Sequence, residues 1–125
     1  MCITQTFRIL VVDDLPDNLF LLQTVLEAEG YEVETASGGY EALEKLQTSR
    51  FSLVLLDVMM PDLDGYAVTQ SIRRSHSCDQ LPVLLISAYS QADLVRSQAI
   101  GANGFLRKPI DFDQLLEQVG QFSRN

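Results

Sequence analysis

The sequence predicts an α/β fold built on a parallel sheet, and three observations carry that expectation. Short apolar or β-branched runs alternate with segments of helical period, the strongest runs are apolar almost throughout, and polar side chains follow four of them directly. Strands covered on both faces read as continuous apolar runs, so ILVV, LVLL and VLLI imply helices packed on each side of the sheet.

The first strand is expected at 8–12. Pro16 then suits a first helical turn, and Leu19, Leu22 and Leu26 share one face until Gly30 ends the segment. A second strand at 32–36 runs into the Ser37-Gly-Gly break, and a helix over 40–47 follows. The third strand is expected at 52–56. Asp64-Gly65 is a cap or turn signal, so the third helix spans 66–74. After a fourth strand at 83–86, Ser90 to Asp93 has the form of a capping box with Asp in place of Glu. It opens a helix to Ile100 whose apolar stripe, Val95 and Ala99 with Leu94, is thin. A fifth strand at 104–107 leads to the clearest helix, in which Phe112, Leu115, Leu116, Val119 and Phe122 keep the i, i+3, i+4, i+7 pattern.

With 125 residues, 46% of them hydrophobic and clustered in short runs, the chain is expected to bury one core without entering a membrane. The first eight residues, MCITQTFR, lack the pattern of a secretory signal, so cytoplasmic residence is the expectation. Cys2 and Cys78 make no metal or disulfide framework, and reduced thiols suit that compartment. A net charge of −8 with only two lysines disfavours direct binding of nucleic acid or anionic membranes. His76 has no second ligand at helical spacing, so a zinc site with Cys78 and Asp79 is disfavoured against a solvated loop.

The polar groups after the strands are Asp13 and Asp14, Asp57, Ser87 and Lys108. In an open α/β sheet the carboxyl ends of the strands form the binding crevice, so these scattered residues are expected to converge. Carboxylates about 5 Å apart in an effective dielectric near 20 repel by on the order of 3 kcal/mol per pair, which calls for a compensating cation. Mg²⁺ is the natural partner of oxygen ligands and phosphate, and Lys108 supplies a second positive charge. Adjacent aspartates point to different sides of a strand end, so one of Asp13 and Asp14 is expected to touch metal directly. Ser87 offers a hydroxyl donor to a phosphoryl oxygen. Asp57 is the candidate nucleophile, because a carboxylate can form an acyl phosphate.

These residues carry a resemblance that covers the whole chain. The VVDD pair Asp13 and Asp14, the LLDVMMPDLDG segment at 55–65, Ser87-Ala88 and Lys108-Pro109 resemble the response-regulator receiver domain, the CheY-like phosphoacceptor module of two-component signalling. The resemblance implies a doubly wound, flavodoxin-like sheet of five parallel strands in the order 2-1-3-4-5 with five helices, a tail over 1–6 and a receiver domain over 7–125. It implies that Asp57 is phosphorylated, that Asp13, Asp14 and Asp57 hold Mg²⁺ with the backbone carbonyl of Met59, and that Lys108 contacts the phosphoryl group. A cis bond before Pro109 is a further implication. The expected donor is a phosphohistidine on a sensor histidine kinase or a histidine phosphotransfer protein. The expected recipients are a downstream effector or a second copy in a homodimer. Ser87 and Phe105 match the switch pair, whose movement would alter the face formed by helix four, strand five and helix five. Met59 and Tyr89 match rim positions that gate the water responsible for slow autodephosphorylation. No small-molecule turnover is expected.

Blander readings exist for single residues. Asp13 and Asp14 also suit a helix cap, Asp57 a turn before Pro61, Ser87 a satisfied buried hydroxyl, Phe105 the core, and Met59 and Tyr89 simple rim packing. Among rival functions, a nucleotide binder needs an anion-cradling loop after the first strand, where acidic DDLPDN would repel phosphate. An aspartyl phosphatase needs a second acid two residues after Asp57, where Met59 stands.

Overall fold

The computed structural model describes residues 6–76, 78–88 and 91–124. Cys2, Tyr89, Ser90 and the side chains of Asp93 and Leu94 lie outside the described residues. Strands β1 (Arg8–Val12), β2 (Glu32–Ala36), β3 (Leu53–Asp57), β4 (Val83–Ser87) and β5 (Gly104–Arg107) alternate with helices α1 (Pro16–Ala28), α2 (Gly39–Thr48), α3 (Gly65–Arg74), α4 (Gln91–Ala99) and α5 (Phe112–Ser123). All pairings are parallel, and the sheet order is β2-β1-β3-β4-β5.

Side-chain alternation along the strands divides the core into two layers. Leu10, Val12, Val54, Leu56, Val83 and Leu85 face Ala42 and Leu46 of α2 and Val68 and Ile72 of α3. Ile9, Val11, Leu53, Leu55, Leu84 and Ile86 face Leu22 and Leu26 of α1 and Leu115 and Val119 of α5. Full burial of each Val, Leu or Ile side chain contributes about 1.5–3 kcal/mol, so the apolar strands are held from both faces.

The register brings the strand ends level. Val12 lies beside both Ala36 and Leu56, Asp57 beside Ile86, and Ser87 beside Arg107. β3 starts one residue later than the sequence suggests and takes in Asp57, while β4 extends by one to take in Ser87. Both polar residues are therefore fixed by the sheet itself rather than by a following loop. The bond between Lys108 and Pro109 is cis.

Helix α4 departs from expectation. Val95 is 65% exposed and Ala99 is exposed, whereas Ser97 is buried. Of the stripe read from hydrophobicity, Val95 and Ala99 turn to solvent, while Arg96 lies over the ring of Tyr66, 4.1 Å from its centroid, and Ser97 faces inward. At the outer strand, Arg8 pairs with Glu32 and Glu34, and Lys45 reaches Glu34 at 3.6 Å.

Candidate functional site

The carboxyl ends of β1 and β3 bring three acids together. One carboxylate oxygen from each of Asp13, Asp14 and Asp57 lies within 4.8 Å of the others. Among the described residues this is the set of three or more such side chains close enough to share a cation; His76, Cys78 and Asp79 do not form one.

Asp13 is buried, and its backbone amide extends the β1–β2 pairing by donating to Ala36 O at 3.2 Å. Its carboxylate accepts from the Leu15 amide at 2.9 Å and from Asn18 Nδ2 at 3.2 Å. The cap position of α1 falls to Leu15 with no side-chain cap bond, so neither aspartate closes that helix. Asp13 instead orders the turn leading into it. Asp14 is half-buried. Asn18 was missed in the sequence, although its place just after Pro16 in DDLPDN puts a polar amide one turn into α1, facing back.

Asp57 is 3% exposed. One of its oxygens accepts from the Met59 amide at 3.3 Å, and the other from Lys108 Nζ at 3.3 Å. Burial pushes this carboxyl above its ordinary value of 3.8, and the charge of Asp13 pushes it the same way. Lys108 and the Met59 amide pull it down without prevailing. The site thus holds more negative charge than its lysine offsets.

Lys108 is placed by its own amide, which donates to Ser87 O at 2.8 Å just beyond the β4–β5 ladder. Ser87 is fully buried at the end of β4, one residue beyond the Asp57–Ile86 pair. Phe105 is half-buried against the α2–α3 side of the core and lies beside Leu85 in register. Met59 is 55% exposed at the rim. Gly65 makes the crowded turn after β3 feasible, because a Cβ there would meet Asp57 O at 2.7 Å.

Residues 9–120 match the response regulator receiver domain. The chain belongs to that family. The receiver domain is 41% identical over 116 residues to the sensor protein GacS of Pseudomonas syringae pv. syringae, a match covering 90% of the chain and 13% of that protein. It is 41% identical over 118 residues to the response regulator PleD of Caulobacter vibrioides, covering 94% and 26%. The chain therefore spans a minor part of these relatives. Among solved structures, the Vibrio cholerae chemotaxis protein CheY4 has a TM-score of 0.89 at 32% identity, covering 94% of the chain and 99% of that structure. A putative response regulator from Chloroflexus aurantiacus has a TM-score of 0.92 at 29% identity, covering 97% and 100%. Among the described residues, no helix of the receiver domain is long and apolar enough to cross a membrane.

The strand-end residues read from the sequence thus fall in one crevice: the three acids with Lys108 on Asp57, and Ser87 on the adjoining strand end. A separate cleft of about 670 Å³ lies between 46–51 and 78–82 and includes none of them.

Proposed function

We propose that this receiver domain takes a phosphoryl group from a phosphohistidine onto Asp57. The observation that carries the reading is a 3%-exposed carboxylate at a strand end, clustered with two more acids and bonded to a lysine at 3.3 Å. An Asp57 oxygen attacks phosphorus, the P–N bond to the donor imidazole breaks, and an acyl phosphate forms. Such a transfer has a loose, charge-rich transition state, so positioning and neutralisation are what the protein must provide.

The donor set fits Mg²⁺. Three clustered carboxylates facing one lysine leave an excess of negative charge, and hard oxygen donors suit this ion. Asp13, Asp14, Asp57 and the Met59 backbone carbonyl would hold it, and when bound it neutralises charge on the phosphoryl oxygens. Asn18 and the Leu15 amide orient Asp13 for that role. Lys108 contacts a phosphoryl oxygen with the ammonium that now pairs with Asp57, and the Ser87 hydroxyl donates to another. Phe105 then packs inward, altering the face made by α4, β5 and α5. Water attack returns Asp57 to the free carboxylate slowly, with the exposed Met59 at the rim.

On this reading the unit over 7–125 is a cytoplasmic regulatory switch rather than an enzyme with a small-molecule substrate. Its donor is a sensor histidine kinase or histidine phosphotransfer protein, and its output goes to an effector protein or a second copy. Neither nucleic acid nor membrane is contacted directly. The test is incubation with a small phosphodonor and Mg²⁺ followed by intact mass, comparing the wild type with Asp57→Asn. The wild type gains one phosphoryl group and the variant does not; an unmodified wild type refutes the reading.

A further inference from the structure

Helix α2 is closed by a residue 23 positions further along the chain. Its cap position is Gly38, which brings no side chain to the free amides at the helix start. Asp62, in the loop between β3 and α3, takes that place. Its Oδ1 accepts from the Gly39 amide at 3.2 Å and its Oδ2 from the Tyr40 amide at 3.1 Å, while its own loop contributes the Leu63 amide at 2.8 Å. The negative carboxylate also meets the positive end of the helix dipole.

The two glycines fit this approach. A Cβ on Gly38 would lie 2.7 Å from Asp62 Oδ2, and one on Gly39 would lie 2.8 Å from the backbone oxygen of Leu63. The α2 start and the loop are thus built to touch, through a contact that crosses from one βα unit to the next.

The same loop carries the acceptor site. Met59 lies three residues before Asp62, and its amide donates to Asp57 at 3.3 Å. At its other end the loop is fastened by Gly65 N to Val58 O at 2.9 Å and by the Asp64 cap of α3. Between those anchors, Asp62 ties the loop to a separate helix.

We propose that Asp62 is a positioning residue, which by gripping the start of α2 fixes the Met59 backbone beside Asp57 and so sets the affinity of the acidic site for Mg²⁺. The inference rests on the functional reading for the role of the Met59 carbonyl, but its measurement is metal affinity rather than phosphorylation. Gly38 offers a way to separate this role from plain helix capping. Serine at that position can cap α2 from within once the Asp62 carboxylate is gone, while leaving the loop untied.

The experiment compares the wild-type chain, Asp62→Ala, and Gly38→Ser combined with Asp62→Ala. Mg²⁺ dissociation constants are measured by calorimetry, alongside melting temperature without divalent cation. Asp62→Ala is expected to weaken Mg²⁺ binding by about tenfold, in the range seen when a ligand loses its supporting contact. It also lowers the melting temperature by about 4 °C. The combined variant recovers the melting temperature but keeps the weakened binding. At saturating Mg²⁺ both variants accept phosphate as the wild type does, since Asp57 and Lys108 are intact. Unchanged Mg²⁺ affinity in Asp62→Ala, or affinity that recovers together with the melting temperature, overturns the proposal. A wild type that binds Mg²⁺ yet gains no phosphoryl group overturns the functional reading instead.

Discussion

Replacing Asp57 by Asn in the metal-free receiver domain is expected to make it more stable. Asp57 has two like charges within 4.8 Å and one ammonium at 3.3 Å. At an effective dielectric near 20 each repulsion amounts to about 3.5 kcal/mol and the attraction to about 5 kcal/mol, leaving about 2 kcal/mol against the ionised form before burial is counted. The Lys108 side chain is 29% exposed, so screening weakens the attraction further. For a domain of this size about 2 kcal/mol corresponds to roughly 8 °C in melting temperature. The pH dependence has a definite sign. The folded-state value of Asp57 is raised above 3.8, so between 3.8 and the raised value the folded chain keeps a proton that the unfolded chain has released. The contribution of Asp57 to wild-type stability therefore falls as pH rises through that window. Melting curves of wild type and Asp57→Asn without divalent cation, at about pH 3 and about pH 7, check this. The two proteins should nearly coincide at the lower pH and separate at the higher, and Mg²⁺ should stabilise the wild type more than the variant. An Asp57→Asn protein no more stable than the wild type near neutrality would refute the electrostatic argument.

Lys108→Ala removes the cation paired with Asp57 and should cost about 2 kcal/mol in urea unfolding, below the 3–5 typical of a broken buried pair because the lysine is partly exposed. Its Mg²⁺ binding should be no weaker while phosphoryl acceptance falls; an unchanged unfolding midpoint would count against the pairing. Arg96→Ala removes the guanidinium over Tyr66 and should cost about 0.5–1 kcal/mol. Hydrogen exchange should then quicken across α4 and leave the end of β3 unaffected, whereas unaltered protection of α4 would show that the stacked pair does not hold it.

Much of the sheet was legible because its information is local. The bounds of β1, β2 and β5 follow from runs whose apolar residues fill both faces or alternate between them. The crevice was legible for the same reason, since five polar residues close or follow apolar runs and parallel pairing aligns strand ends. What escaped depends on contacts between distant segments. α2 starts at Gly39 rather than Tyr40 because Asp62 supplies acceptors that no neighbouring residue has. α4 turns Ser97 inward and Val95 outward, which hydrophobicity alone reads the other way round. Arg73 looks like an ordinary charge at the end of α3, yet its guanidinium donates to Leu81 O, Gly101 O and Asn103 Oδ1, drawing two loops together.

The ion pairs on β2 bear on how copies of this domain can meet. β2 is a lateral strand of the sheet, and such a strand offers open backbone groups to any other chain in extended form. Here Glu32 and Glu34 project from it and are clasped by Arg8 and Lys45, so an incoming strand would have to displace a charged cluster. The opposite border is β5, only four residues long and ending in exposed Arg107. Growth of the sheet by strand addition is thus blunted on both borders, so a second copy, were one to dock, would meet the helical faces and could leave again without unravelling the fold.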